Sequence, residues 1–248
     1  VRLFRIVLVL LALASIVSTA QASAAPADSA AALPRSPDTW SDGAAPSGHP
    51  LFTRGDAWFA AATVASVGLA TRLDRWAAEE APENNGSVAV GASHAGERLG
   101  NPLYLVPAFL VVRGADALEH RSDRAASLVR IAEGAVAASA AVSVVKLAVG
   151  RARPYQTPGD QDVIRPFSGN ASFPSGHTAL AFGLAAAIDE ETSARWVPYV
   201  VYPLAGLVGW SRVRDGEHWS SDVVAGAALG FWTARKAVDF ARRRIHSP

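Results

Sequence analysis

Apolar positions run through this chain in long blocks rather than in the strict alternation of a half-buried strand. Asp56 to Leu73 carries an Ala-rich helical pattern, with Asp56 placed to cap its start. Pro82 to Asn101 is polar and holds Asn84, Asn85 and Gly86, then Gly91, Gly96 and Gly100; it is predicted as a long connection. Leu103 to His120 resumes as helix. Asp123 to Val149 gives the longest helical pattern, closed by Gly150 and Pro154. Tyr155 to Phe173 has turn residues and no period, so it is predicted as loop. Thr178 to Ile188, Ala194 to Arg212 and Ser221 to Arg244 complete the pattern. The expectation is an all-α bundle of about six helices.

The uncharged stretches of these helices are 57–71, 103–112, 134–145, 178–188, 196–211 and 223–234. Each falls short of the roughly 18 apolar residues of a spanning helix, and they lean on Ala. Small residues also suit close packing in a bilayer, which keeps an integral membrane bundle as the alternative. Residues 1–24 read as a secretory signal: Arg2 and Arg5, an apolar run from Ile6 to Val17, then Ala22-Ser23-Ala24. Residues 25–51 are rich in Ala, Ser, Pro and Gly and are predicted as a disordered linker. The helical domain is then 52–246, exported to the periplasm or cell envelope as a soluble or surface-associated bundle.

Composition narrows the chemistry. With 23 basic against 22 acidic residues the chain is no general nucleic-acid binder. The absence of Cys removes disulfides, thiol nucleophiles and thiolate metal sites. Half the residues are hydrophobic, which argues against wholesale disorder. Lysine occurs at 146 and 236 alone.

Three patterns carry candidate chemistry. Lys146 is followed at seven residues by Arg153-Pro154, so two turns at a helix end bring both cations to one face. Pro174-Ser175-Gly176-His177 opens a helix, where Ser175 suits the N-cap and free N–H groups suit a phosphate. Ser211-Arg212 leads to His218 and, four residues on, Asp222, spaced for a carboxylate to orient an imidazole. Taken singly, each has an ordinary reading: snorkelling cations, a plain helix start, a surface pair. A second Pro-Ser-Gly-His at 46–49 lies in the linker before Pro50 and is read as coincidence. Together and in order, the three are specific.

They resemble the three-part signature of the type-2 phosphatidic-acid phosphatase and vanadium haloperoxidase superfamily. The resemblance implies a helical bundle and a phosphatase that hydrolyses phosphomonoesters, lipid phosphates among them, without metal or other cofactor. It implies that Lys146, Arg153 and Arg212 bind phosphoryl oxygens, with backbone around Ser175 and Gly176. His218 would attack phosphorus, Asp222 would orient it, and His177 would protonate the leaving group. The alternatives are a haloperoxidase holding vanadate on His218, a membrane-embedded lipid or polyprenyl-diphosphate phosphatase, and an inactive helical module.

Outside the signature, His94 is a lesser candidate for substrate contact, and Tyr155, Phe167 and Phe173 for an apolar entrance. Asp215 and Glu217 read as solvated loop charges, and Arg242-Arg243-Arg244 as a solvated helix end able to touch anionic head groups. Trp210 and Trp219 read as packing residues.

Overall fold

Thr53, not Asp56, caps the first helix. The Asp56 carboxylate, one turn in, accepts the Thr53 backbone N–H at 2.6 Å and its hydroxyl at 3.0 Å, a capping box in which the acid reaches back. The same carboxylate binds Lys236 at 2.8 Å and the Trp232 indole at 2.7 Å, so the second lysine is a structural tie. A computed structural model of the chain describes residues 50–80, 86–118 and 122–245. The predicted signal 1–24, the linker up to residue 49 with its second Pro-Ser-Gly-His, His120 and His246 lie outside the described residues.

Seven helices make up the described fold: α1 Arg54–Glu80, α2 Ser87–Gly100, α3 Pro102–Leu118, α4 Ser122–Val149, α5 Gly176–Glu191, α6 Pro198–Arg214 and α7 Ser220–Ile245. No strand occurs among the described residues, only an isolated bridge between Arg151 and Ile164. The all-α expectation is borne out, and the segment 82–101 corrects the count. Its glycines were read as breakers, yet α2 occupies most of it. Gly96 and Gly100 are contact points instead: a Cβ on Gly96 would sit 2.7 Å from the Leu207 carbonyl, and one on Gly100 would collide with Val208 and crowd His177. Helix propensity yields to a close approach that larger residues forbid.

At the centre, α5 packs on α7, α4 and α6, while α1 leans on α7 and α2 on α6. The interior is built from small residues. Ala138, Ala179, Ala186, Ala187, Ala234 and Val238 are fully buried, and α7 crosses α5 where Gly230 faces the Ala179 carbonyl. Large apolar side chains point outward: Trp58, Val64 and Leu69 on α1, Leu103, Leu110 and Val111 on α3, Val136, Val144 and Leu147 on α4, Tyr199 on α6. This inverts the usual soluble arrangement, in which such residues fill the core. The expectation that every apolar helix is too short for a bilayer is also corrected. Arg124–Val149 is long and apolar enough to cross one, and only 28% of its apolar window is buried.

Candidate active site

Four helix ends, those of α4 and α6 and the starts of α5 and α7, meet at one pole of the bundle and carry or adjoin the predicted site residues. Gly150 ends α4 in a left-handed conformation (φ 62°), its N–H returning to the Lys146 carbonyl at 3.0 Å. A Cβ there would collide with the Arg165 carbonyl, so glycine is required. The turn leaves Lys146 on the last turn of α4 and sends Arg151 and Arg153 back across the pole. Lys146 Nζ donates to the Ala171 carbonyl, and its Cε lies 3.5 Å from where a Gly176 Cβ would be, which places it beside the start of α5.

Ser175 takes the N-cap position of α5, but its side chain does not cap. Its hydroxyl accepts from Thr178 at 2.9 Å, and its N–H is spent on the Asp222 carbonyl at 2.9 Å. Ser175 is fully buried, so any backbone donors for an anion are those of the turn after it.

The third pattern is a folded-back loop. Beyond α6, the N–H groups of Glu217 and His218 both return to the Arg212 carbonyl, at 3.0 and 3.1 Å. Asp222, in the first turn of α7, accepts the Trp219 N–H at 3.0 Å, capping the helix while it faces His218. His218 Nδ1 stands 3.5 Å from Asp222 Oδ2 and makes no hydrogen bond there, so the pair is an electrostatic contact. Burial pushes the His218 imidazole below its ordinary pKa, against the upward pull of Asp222. Burial alone would raise the Asp222 carboxyl; His218 and Arg151 outweigh it and hold it below the usual carboxylate range.

His177, in the first turn of α5, is pushed down to about 4 by burial and then by the charges of Arg212, His218, Arg153 and Lys146. That one ring feels all four shows that the three patterns converge. His177 is therefore neutral near pH 7 while the site is empty, and only an anion among those cations would restore its proton.

Sequence reasoning missed the support beneath the pair. Arg151 is buried between two carboxylates, binding Asp222 at 2.7 Å and Asp74 of α1 at 2.8 Å. Asp74 in turn takes the Ser221 N–H at 2.8 Å and hydroxyl at 2.6 Å. Ser172 gives a further hydrogen bond to Asp222 at 2.5 Å. Asp74 carried one weak signal, a carboxylate in an apolar helical pattern. Asp215 and Glu217 are likewise not solvated charges. Asp215 binds Arg212 at 3.2 Å, Arg214 at 3.1 Å and Ser93 of α2 at 2.6 Å, and Glu217 pairs with Arg153. The expected packing role of Trp219 holds, its indole donating to the Ala152 carbonyl at 2.9 Å. Tyr155 and Phe167 stand exposed, Phe173 is partly buried, and His94 is exposed on α2. No group of three or more His, Asp or Glu side chains suited to a metal occurs among the described residues.

One pole of the bundle thus gathers three cations, a histidine–carboxylate pair and a second histidine. Residues 127–245, 119 of the 248, match the PAP2 superfamily. The chain is 33% identical over 144 residues to a lipid A 1-phosphatase of Porphyromonas gingivalis, covering 56% of this chain and 30% of that protein. It is 36% identical over 89 residues to an undecaprenyl-diphosphatase of Sulfolobus acidocaldarius, covering 36% of this chain and 43% of that one. The matches thus span less than half the length of these curated relatives. In fold it is similar to a transmembrane PAP2-type phosphatidylglycerolphosphate phosphatase from Bacillus subtilis, with TM-score 0.53, 22% identity and coverage of 77% of this chain and 92% of that one.

Proposed function

We propose that this protein is a membrane-embedded phosphatase that removes a phosphoryl group from a lipid phosphate through a phosphohistidine. The observation that carries the chemistry is the gathering of Lys146, Arg153 and Arg212 at the pole where α5 starts with His177, beside a buried His218–Asp222 pair. Phosphoryl transfer asks a protein chiefly for positioning and charge neutralisation, which three cations supply. His218, neutral and facing Asp222, which would orient it as the two close to hydrogen-bond distance, attacks phosphorus in line as the bond to the leaving oxygen breaks. His177, protonated once the phosphoryl anion is bound, gives its proton to that oxygen. It then takes a proton from the water that hydrolyses the phosphohistidine, and inorganic phosphate leaves. The cations carry the neutralising charge, so turnover proceeds without added metal.

The outward-facing apolar side chains favour a lipid substrate and an embedded bundle over the soluble one that the sequence suggests. Stretches 57–71, 103–112, 134–145, 178–188, 196–211 and 223–234 would lie in the hydrocarbon, with the site at their ends near one surface. Trp58, Trp196 and Tyr199 gather at the ends of α1 and α6 away from the site and Tyr104 and Phe167 near it, as interfacial aromatics do. The helical domain is taken as 52–246, and an amino-terminal signal over 1–24 would direct it to the cell envelope.

The test is phosphate release by the full chain, extracted in detergent, from phosphatidate, a polyprenyl diphosphate, lipid A and an aryl phosphate, with chelator present. His218→Ala is expected to abolish release from every substrate that the wild-type chain turns over. Full activity in that variant would sink the mechanism. Extraction without detergent and activity confined to soluble esters would sink the embedded lipid phosphatase. Halide oxidation on adding vanadate and peroxide would favour the haloperoxidase instead.

A further inference from the structure

The three cations that the proposed function assigns to the phosphoryl group are each engaged by the protein itself. Lys146 donates to a neutral carbonyl, that of Ala171. Arg212 meets Asp215, but that carboxylate is anchored elsewhere, by the Ser93 hydroxyl at 2.6 Å and by Arg214. Arg153 is different. Its guanidinium Nη1 pairs with the Glu217 carboxylate, and Glu217 is the residue next to His218. The Glu217 backbone is pinned, its N–H held by the Arg212 carbonyl at 3.0 Å. Its side chain is 35% exposed and is held by Arg153 alone among the described contacts. A part-exposed carboxylate with this single side-chain partner therefore sits on a cation assigned to phosphate, one residue from the nucleophile.

A carboxylate and a phosphoryl group make the same kind of contact with a guanidinium, paired N–H donors to anionic oxygens. Both cannot occupy one Arg153 nitrogen at full strength. We propose that Glu217 is an internal competitor of the phosphoryl group: it occupies Arg153 in the empty site, gives way when substrate binds, and returns as product phosphate leaves. The proposal rests on the phosphatase reading. Its consequence is a cradle that binds ground-state phosphate more loosely than three unopposed cations would. Product phosphate is then shed readily at a membrane surface, where the second product stays in the lipid. Weakening substrate and product binding alike raises KM without slowing the bond-breaking step, and it relieves product inhibition.

The experiment measures inhibition by inorganic phosphate, with KM and kcat, on the detergent-extracted full chain and its Glu217→Gln variant. Gln keeps the shape and removes the charge, at a partly exposed position that tolerates the change. The inhibition constant for phosphate and the KM are both expected to fall about 1.5-fold to fivefold, the range for a partly exposed ion pair, with single-turnover phosphohistidine formation unchanged. Glu217→Asp, which keeps the charge but shortens the reach to Arg153, is expected to fall between the two. In an Arg153→Ala background the Gln substitution is expected to leave the inhibition constant unmoved, a coupling that a purely structural glutamate would not show. A wild-type chain that releases phosphate, with an inhibition constant unaltered by Glu217→Gln, overturns this inference alone. A wild-type chain that neither releases nor binds phosphate overturns the phosphatase reading and this one with it.

Discussion

The two ends of the bundle both concentrate charge, and they use it in opposite ways. At the end away from the candidate site, Glu191 is fully buried and clamped by Arg130 through two hydrogen bonds, at 2.9 and 2.7 Å, and by Arg242 at 3.0 Å. Ser127 supports Arg130 at 3.0 Å. The Arg242 that reads as a solvated helix end is thus part of a lock between α4, α5 and α7; Arg243 pairs with Asp239 and Arg244 with Glu133. At the site end, cations converge on a histidine they repel, and one of them is held by a half-exposed carboxylate. A cluster whose charges are matched and shielded holds helices together. One whose cations keep partly exposed or neutral partners suits the anion binding proposed above.

Substitutions at the two ends should therefore separate stability from activity. After the abolition expected of His218→Ala, the largest effect is expected from His177→Ala, which should lower kcat by about 10²- to 10⁴-fold, the range for a general acid–base group, with the unfolding midpoint nearly unchanged. A variant that instead lost its fold would place His177 among the structural residues. Arg130→Ala should do the reverse. Removing one partner of a buried carboxylate costs about 3–5 kcal/mol, read as a lowered unfolding midpoint in detergent, while kcat per folded molecule is retained. Asp74→Asn tests whether the comparison reaches beneath the site. It frees Arg151 to bind Asp222 alone, and a loss of kcat of about tenfold or more is expected with KM little changed. Loss of stability without loss of kcat would make Asp74 a scaffold residue.

The smallest effect is a matter of protons. His177 is held at about pKa 4 in the empty site, and a bound anion offsets the cations that help depress it. Between about pH 4 and the higher value in the complex, the complex holds more protons than the free protein. Binding sulfate, which does not titrate there, should take up a fraction of a proton, and its affinity should rise as pH falls toward 4. Calorimetry in buffers of different ionisation enthalpy measures the uptake, which His177→Ala should abolish. An anion added to a variant lacking the Glu191 cluster should still take up the proton, since that end plays no part in it.

The signature residues were legible because their chemistry is tied to short spacings along the chain. His218 and Asp222 flank the start of α7, but the two helical turns expected between Lys146 and Arg153 do not form: α4 stops at Gly150, and Arg153 reaches the pole on the chain that turns back. What was not legible depends on contacts between distant segments. Gly96 and Gly100 look like helix breakers until α6 and His177 are seen beside them. Asp74 looks like an ordinary helical acid until Arg151 and Ser221 arrive from far along the chain. The small-residue interior was visible as an alanine bias. The outward direction of Val, Leu and Trp was not, because composition does not say which face a residue takes. The proposed lipid setting departs on that point from the soluble bundle that the sequence suggests.

The bond between Asp74 and the start of α7 carries a consequence for how the molecule opens. Opening α1 alone would leave a buried arginine with one carboxylate in place of two and strip Ser221 of both hydrogen bonds it donates. That penalty discourages α1 from fraying independently and couples it to the start of α7 in one cooperative opening. The amide of Ser221, bonded to a side chain 147 residues away, should then exchange with solvent as slowly as the interior of α5. The unit that breathes together is larger than the segment 127–245 that marks the superfamily.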